Sequence, residues 1–293
     1  MAQVVGVFAT AHVPSIGAAI AKGTTQDAYW KPFFDAFPPV RAWLAREKPD
    51  VAVVIYNDHG LGHFLDKMPT FAIGAAERYE NADEGWGIPV LPPVPGHAAL
   101  SWHMIESLVA DEFDVAMCQE LLVDHAFTLP LKLMYPDAGS AAHPSWPIRT
   151  VPVTINSVQH PLPSALRCWK LGRAIGRALA SWRGPEKIVV VATGGLSHQL
   201  DGARAGFINK AFDLFCLDKI VSDPQALTSL SNREIIERAG SQGVELLCWI
   251  AMRGALQGRV SKVTSSYHVP VSNTGGAVLL MRNEGRPATL AAE

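Results

Sequence analysis

The stretch VAVVIYNDHGLGH, residues 51–63, changes character abruptly near its middle. Residues 51–56 are apolar or aromatic and rich in β-branched side chains, which predicts a strand that is buried on both faces of a sheet. Asn57, Asp58 and His59 follow at once. In open α/β sheets, ligands bind where the carboxyl ends of strands meet a crevice, so a polar cluster at this point marks a candidate ligand site.

Runs similar to residues 51–56 recur along the chain, at 4–8, 148–155, 187–193 and 276–281. Helical patterns lie between them, at 27–47, 98–111, 163–181, 207–221 and 242–255. Strands that alternate with helices predict an α/β fold with a mixed, largely buried central sheet flanked by helices. The Pro/Gly-rich loops are too short for interdomain linkers. We therefore expect a single domain over residues 1–293, with residues 282–293 as a flexible tail.

Composition excludes several functional classes. The chain has 293 residues and a net charge of −2, which gives no general electrostatic reason to expect nucleic acid or an anionic membrane as partner. Its four cysteines are widely spaced without a CxxC pair, which favours a reducing compartment over a disulfide framework or a zinc knuckle. The apolar N-terminus lacks a basic leader and is interrupted by His12 and Pro14, so we expect neither a signal peptide nor a membrane span, and a cytoplasmic protein. No GxGxxG motif supports a dinucleotide site.

Three of the predicted strands are followed by a histidine. The segment VVGVFATAH ends at His12, VAVVIYNDH at His59, and KIVVVATGGLSH at His198. A fourth histidine, His125, follows another short apolar run. One such residue would be an ordinary surface or capping histidine, but three at equivalent strand ends indicate a shared site. The other six histidines lack this placement, and we expect structural roles for them, least firmly for His63 because it is so close to His59.

Glu245 is the candidate carboxylate for the same site as these histidines. It lies near the start of the predicted helix GVELLCWIAMRGAL, and the residues three, four and seven positions later are apolar, so it heads a core-facing stripe. A buried acid is costly unless it is paired or bound to a metal, although a first-turn glutamate can also simply favour the helix dipole. Two imidazoles and a carboxylate form the ligand set of non-haem iron(II) oxygenases, but zinc hydrolases use similar ligands, so spacing alone leaves both open.

Longer blocks of the sequence carry a resemblance. They are TAHVPSIGAAI, YNDH, PTFAIGAAERYENADEGWG, VDHAFTLPL, ATGGLSHQLDGARAGFINKAFD, GVELLCWIAMRGAL and YHVPVSNT. In this order they resemble the catalytic β subunits of protocatechuate 4,5-dioxygenases, which are class III extradiol ring-cleaving dioxygenases. The likeness runs from the first strand to about residue 281. It departs from the family pattern at Ala192, where glycine would be expected, and this small change puts no site residue in doubt.

The resemblance implies a role for each candidate residue. His12, His59 and Glu245 would hold ferrous iron, Fe(2+). His198 would be the catalytic acid–base residue, and His125 a second active-site histidine that orients substrate and oxygen.

The same resemblance implies a catechol substrate together with O2. Ser272 and Asn273, in the SNT segment, would bind the substrate's carboxylate. With protocatechuate, cleavage at the 4,5 bond would give 4-carboxy-2-hydroxymuconate semialdehyde. Gallate, 3-O-methylgallate and 2,3-cleavage of protocatechuate are alternatives that the sequence does not separate. Metal-binding proteins of the same fold without oxygenase activity are a further alternative, against which the acid–base histidine argues.

The resemblance also implies a partner. In the family, a small helical α subunit covers the active site, and an α2β2 heterotetramer results. Only the short tail RNEGRPATLAAE follows residue 281, so we expect a separate polypeptide to form the cover, unless this member works without one. Residues 71–96, which include Trp86 and a run of prolines, are the expected contact surface.

Overall fold

The computed structural model of the chain describes residues 2–85, 91–269 and 271–285. Ten strands lie in these ranges: β1 (Gln3–Thr10), β2 (Val51–Tyr56), β3 (Phe71–Gly74), β4 (Arg78–Tyr79), β5 (Val94–Pro95), β6 (Ala116–Cys118), β7 (Arg149–Ile155), β8 (Lys187–Thr193), β9 (Val260–His268) and β10 (Gly276–Asn283). Eight of them form one sheet, in the order β6-β3-β7-β2-β8-β1-β10-β9. Strands β4 and β5 pair separately.

The centre of the large sheet is parallel. Strands β7, β2, β8 and β1 run in one direction. On one side β10 is antiparallel to β1 and β9 is antiparallel to β10, and on the other side β3 is antiparallel to β7. Thr10 of β1 pairs with Thr193 of β8, and Ile55 of β2 pairs with Ala192, so three carboxyl ends lie side by side. These central strands are almost wholly buried, which confirms the predicted mixed, buried sheet.

Ten α-helices accompany the sheet in the described ranges: α1 (Pro14–Ala21), α2 (Lys31–Phe34), α3 (Pro38–Glu47), α4 (Ala98–Ala110), α5 (His125–Met134), α6 (Ala165–Ser181), α7 (Lys210–Ser222), α8 (Gln225–Thr228), α9 (Asn232–Ala239) and α10 (Leu246–Gly254). Short 3-10 helices lie at Gly202–Arg204 and Gln242–Glu245. Helices α4, α6, α7 and α10 contribute to a core on one face of the sheet, and α1, α2, α3 and α5 to a core on the other face.

Several predicted boundaries were wrong. The helix expected over 27–47 is two helices, since α3 starts anew at Pro38, and consecutive prolines lack the amide hydrogens needed to continue a helix. The edge strand β9 was missed because it is only partly buried and carries polar residues, so it lacks an apolar run. Strand β10 continues through Asn283, two residues into the expected tail, and residues 286–293 lie outside the described ranges. Across the described ranges, no helix has both the length and the apolar character needed to cross a membrane.

Close packing of two helices fixes the position of Glu245. A side chain at Gly172 of α6 would place its Cβ 1.9 Å from the backbone oxygen of Ala251 in α10, so only glycine allows this approach. Glu245 ends the 3-10 helix that leads directly into α10. The contact between α6 and α10 therefore seats Glu245 against the carboxyl end of β8, where Gly194 lies beside it.

Candidate active site

Three histidine rings converge at the carboxyl edge of the central sheet. The ring centroids of His12 and His59 are 5.2 Å apart, and the ring of His125 lies 5.4 Å from His12 and 4.3 Å from His59. One ring nitrogen from each residue lies within 4.8 Å of the others, so the three could hold a metal ion together. His12 and His59 arrive on loops that follow β1 and β2, and His125 is the first residue of α5.

Glu245 lies next to His12. Its Oε1 is 3.6 Å from Nε2 of His12, and the backbone N–H of Gly195 donates to its Oε2 at 2.7 Å. Gly194 has a φ of +113°, and a Cβ there would lie 2.6 Å from the Glu245 side chain, so glycine is needed for the backbone to pass this close. Burial by itself would raise the pKa of Glu245, but His12, followed by His198 and His59, lowers it to about 2. The site therefore contains a buried carboxylate anion.

His59 is held by Asp124, a residue that the sequence analysis missed. Oδ2 of Asp124 accepts hydrogen bonds from Nδ1 of His59 at 2.8 Å and from its backbone N–H at 3.0 Å. Burial would lower the pKa of His59, but Asp124 outweighs it and the pKa is raised to about 9. Burial would likewise raise the pKa of Asp124, which His59 lowers to about 2. A metal ion that binds His59 would have to displace the proton from Nε2.

Asn57 and Asp58 have different roles. Nδ2 of Asn57 lies 3.2 Å from Nε2 of His59 and 3.3 Å from Oε1 of Glu245, so it lies near both of the atoms that a metal ion would use. The carboxylate of Asp58 instead accepts backbone N–H bonds from residues 60–63 and closes the turn after β2. Asn57 therefore contacts both His59 and Glu245, whereas the position of Asp58 is explained by the turn alone.

The donor set fits a divalent transition metal. Imidazole nitrogens together with one carboxylate suit iron and zinc, and burial lowers the pKa of His12, which keeps its ring neutral and able to bind a metal. Nδ1 of His12 is already paired with the hydroxyl of Thr193 at 3.0 Å, which leaves Nε2 for the metal. Among the described residues, Oδ1 of Asn57 is buried with no hydrogen-bond partner, so the polar site has capacity for a ligand.

His198 belongs to the same edge of the sheet but is held by neutral groups. Its Nδ1 lies 3.0 Å from the backbone oxygen of Asn273 and 2.8 Å from the hydroxyl of Thr274. A carbonyl oxygen can only accept, so Nδ1 carries a proton, and Nε2 is the nitrogen that can gain or lose one. His198 also contributes to the lowered pKa of Glu245, which places it within electrostatic reach of that carboxylate.

Ser272 and Asn273 form the turn that holds His198. Val271 and Thr274 exchange backbone hydrogen bonds at 3.0 and 3.1 Å, and the φ angles of Ser272 and Asn273 are 48° and 59°. Positive φ at both central residues defines a two-residue hairpin turn, in which asparagine is favoured. The side chain of Asn273 is exposed. The turn explains the conformation of both residues, and their binding of a substrate carboxylate stays a prediction.

Glu84 is a second residue that sequence reasoning missed. Its carboxylate accepts hydrogen bonds from the backbone N–H of His125, at 2.6 Å, and from Nδ1 of the same residue. It lies in the ADEGWG block that carried part of the resemblance, but no spacing rule connects residue 84 with residue 125. Trp86, in the same block, lies outside the described residues.

Comparison with known proteins agrees with this geometry. Residues 6–278 match the family described as the catalytic LigB subunit of aromatic ring-opening dioxygenase. A gallate dioxygenase of Pseudomonas putida is 44% identical over 202 residues, which cover 69% of this chain but only 58% of that protein. A 2,3-dihydroxyphenylpropionate/2,3-dihydroxicinnamic acid 1,2-dioxygenase of Burkholderia vietnamiensis is 34% identical over 280 residues, which cover 76% of this chain and 84% of that protein.

A solved structure shows the same fold. An uncharacterised Escherichia coli K12 protein superposes with a TM-score of 0.59 at 17% identity, covering 94% of this chain and 99% of that one.

Proposed function

The chain belongs to the family of catalytic LigB subunits of aromatic ring-opening dioxygenases, and we propose that it is an extradiol dioxygenase that cleaves the ring of a gallate-like catechol acid. The observations that support this proposal are the convergence of the His12, His59 and His125 rings at one edge of the sheet and the contact between Glu245 and His12. A protein that only binds metal has no need for a histidine whose free nitrogen is kept available for a proton.

Gallate is the proposed substrate in place of protocatechuate. The sequence motifs first suggested protocatechuate, with gallate as an alternative, but the relative with 44% identity is a gallate dioxygenase. The two acids share a ring carboxylate and an adjacent pair of hydroxyl groups, and gallate carries one more hydroxyl. The reaction breaks the ring carbon–carbon bond beside the diol and places both atoms of O2 in the product.

We propose that His12, His59 and Glu245 hold Fe(2+), with His125 next to them. When bound, ferrous iron supplies a shared binding point for the catechol oxygens and O2, and the electrons that activate them. The protein prepares this set by keeping Glu245 anionic and by fixing the rings of His12 and His59 through their Nδ1 atoms. These are the partners that orient histidine ligands in metalloproteins.

His198 acts as the acid–base residue. Its Nε2 accepts a proton from a catechol hydroxyl as the substrate binds, and later returns that proton to an oxygen of the reacting ligand. Nδ1 stays bound to the carbonyl of Asn273 throughout, so the ring does not turn during the transfer. Ser272 and Asn273 supply a hydroxyl and an amide, which are suitable hydrogen-bond donors for the substrate's carboxylate.

We also propose that a small helical α subunit covers the site in an α2β2 assembly. Reactive oxygen chemistry requires that water be kept out. Two apolar side chains lie exposed in the loop just after His59, Phe64 at 58% and Leu65 at 75%, where a cover would contact the rim. The test compares the initial rate and lifetime of the isolated chain with and without a candidate α subunit. Long-lived activity of the isolated chain would contradict the proposal.

The function itself is tested by anaerobic loading with Fe(2+), followed by oxygen uptake with gallate, 3-O-methylgallate, protocatechuate and unsubstituted catechol. We expect uptake to match ring cleavage mole for mole, with the highest kcat/KM on gallate. His143→Ala is the matched control, because His143 is an exposed histidine outside the site and its loss should change nothing. If no catechol consumes oxygen in the iron-loaded protein, the proposed function is wrong.

A further inference from the structure

Glu84 is a nearly buried carboxylate beside the candidate site that none of the roles above uses. Its side chain is 7% exposed and that of His125 is 5% exposed. The segment that carries it runs beside the one that leads to His125: Val123 donates its backbone N–H to Glu80, and Ala82 donates to Val123, both at 2.9 Å. This backbone pairing places Glu84 close to His125.

We propose that Glu84 is a positioning residue that fixes the ring of His125 for contact with the catechol or O2. One carboxylate oxygen accepts from the backbone N–H of His125 and the other from Nδ1 of its ring, so a single group holds both the main chain and the side chain. Two attachments to one residue restrict rotation of the ring about its own axis. Nε2 is then the nitrogen that remains for a ligand. The consequence for catalysis rests on the proposed function.

The position of the His125 ring indicates what the contact with Glu84 controls. His125 stacks on His59 with a centroid separation of 4.3 Å and an angle of 26° between the ring planes. If the Glu84 carboxylate were lost, Nδ1 would have no acceptor, and the ring could turn and exchange its two nitrogens. His59 has its own partner in Asp124, so the metal ligand should stay in place while His125 moves.

A purely structural role for Glu84 makes a different prediction. An anion near the start of a helix can stabilise that helix, and His125 is the first residue of α5. Asp124 already caps α5, however, by accepting from the backbone N–H of Ala126 at 3.0 Å. If Glu84 only stabilised the helix, its loss would lower the melting temperature and reduce activity to the same extent whether or not His125 is present.

The contact can be tested without catalysis by nitrogen and proton NMR on the metal-free chain labelled at histidine. We expect one Nδ1 proton far downfield of ordinary imidazole signals, absent in His125→Ala. It should move upfield in Glu84→Gln, which has one fewer acceptor oxygen, and stay in place in Asp83→Ala, a neighbouring exposed acid. A signal that is unchanged in both Glu84→Gln and Glu84→Ala would overturn the proposal.

The consequence is tested by a double-mutant cycle on the iron-loaded chain with gallate. We expect Glu84→Ala to lower kcat/KM by about 10- to 100-fold, the usual effect of losing a partner that orients an active-site histidine, and Glu84→Gln to lower it less. Iron content should be unchanged. In the His125→Ala background, Glu84→Ala should have little further effect, because the two residues act as a unit. If the losses in kcat/KM of the two single variants multiplied in the double mutant, the proposal would be overturned.

The two proposals can fail separately. If the wild-type chain cleaves no catechol but the downfield proton responds to Glu84→Gln as expected, the proposed function fails and the positioning of His125 stands. If wild type is active and the proton does not respond, the positioning fails alone.

Discussion

His59 and His198 both follow a parallel strand of the same sheet, yet the protein holds their rings in different ways. Nδ1 of His59 donates to the buried carboxylate of Asp124, whereas Nδ1 of His198 donates to the backbone oxygen of Asn273. Both contacts fix the ring and leave Nε2 facing away from the partner. They differ in charge, because Asp124 places a full negative charge behind its histidine and the carbonyl does not.

This difference fits two different tasks. A carboxylate behind a histidine makes the ring a stronger electron donor, which suits a residue that stays bound to a metal cation. It raises the pKa of His59 to about 9, which would be unsuitable for a group that must gain and lose a proton during each turnover near neutral pH. A carbonyl orients the ring of His198 without adding charge. The comparison predicts that substitutions around His59 will reduce metal retention, whereas substitutions around His198 will reduce turnover.

The largest expected effect is loss of the metal. His59→Ala removes one of the three proposed ligands and should abolish retention of Fe(2+), and the same is expected of His12→Ala and Glu245→Ala. The fold should remain, because these residues lie at the edge of the sheet and not within its apolar core. Iron per chain after dialysis measures the effect, with circular dichroism as the control for folding. If each of the three changes left iron bound, the assignment of the ligands would be wrong.

The next largest effect is expected at His198. His198→Gln should retain iron and bind catechol, but kcat should fall by roughly two to four orders of magnitude, the range for a positioned acid–base group. Single-turnover kinetics with gallate on protein of known iron content provide the measurement. Near-normal kcat would show that the proton comes from elsewhere, and His125 would be the first residue to examine.

The sequence indicated the histidines at the strand ends, but not the residues that hold them in place. Apolar strands followed by His12, His59 and His198 could be recognised from local pattern, and the parallel centre of the sheet brings them together. Asp124 and Glu84 could not be found in this way. Asp124 is 65 positions from His59 and Glu84 is 41 from His125, so only the folded chain pairs them.

At residues 271–274 the sequence singles out two residues but does not show how they contact His198. The sequence, through the resemblance, assigns Ser272 and Asn273 to the substrate. The structure shows the turn, because both residues have positive φ, and it shows that the turn also holds His198. Every residue has a backbone carbonyl, so residue types cannot show which carbonyl accepts a hydrogen bond from His198.

Asp124→Asn tests the carboxylate side directly. Asparagine is as good a helix N-cap as aspartate, so this change removes the negative charge while the start of α5 is preserved. We expect affinity for Fe(2+) to fall by about 10- to 100-fold, as is typical when the partner of a histidine ligand is lost. Competition with a chelator of known affinity gives the measurement. Unchanged affinity would mean that Asp124 serves the helix alone.

A smaller effect is expected at the substrate's carboxylate. Asn273→Ala removes one side-chain donor. A hydrogen bond to a charged group contributes about 1.5–3 kcal/mol. Because the Asn273 side chain is exposed, we expect the lower end of this range, which corresponds to a roughly tenfold rise in KM for gallate. KM for unsubstituted catechol should hardly change, because that substrate has no carboxylate. Steady-state kinetics on both substrates decide the matter. Equal losses for the two would assign Asn273 to the turn alone.

The smallest effect should come from Thr274→Val, and it completes the comparison with Asp124→Asn. The hydroxyl of Thr274 lies 2.8 Å from Nδ1 of His198, and valine keeps the shape of the side chain while removing that contact. The carbonyl of Asn273 still accepts from Nδ1, so only one neutral hydrogen bond is lost, worth about 0.5–1.5 kcal/mol. We expect kcat to fall by about 2- to 10-fold and affinity for Fe(2+) to be unaffected.

Chelator competition and gallate kinetics on the two variants, run side by side, should give opposite patterns. If Thr274→Val weakened metal binding as much as Asp124→Asn, the two sides of the site would not be separate, and the division between metal ligand and proton carrier would have to be abandoned.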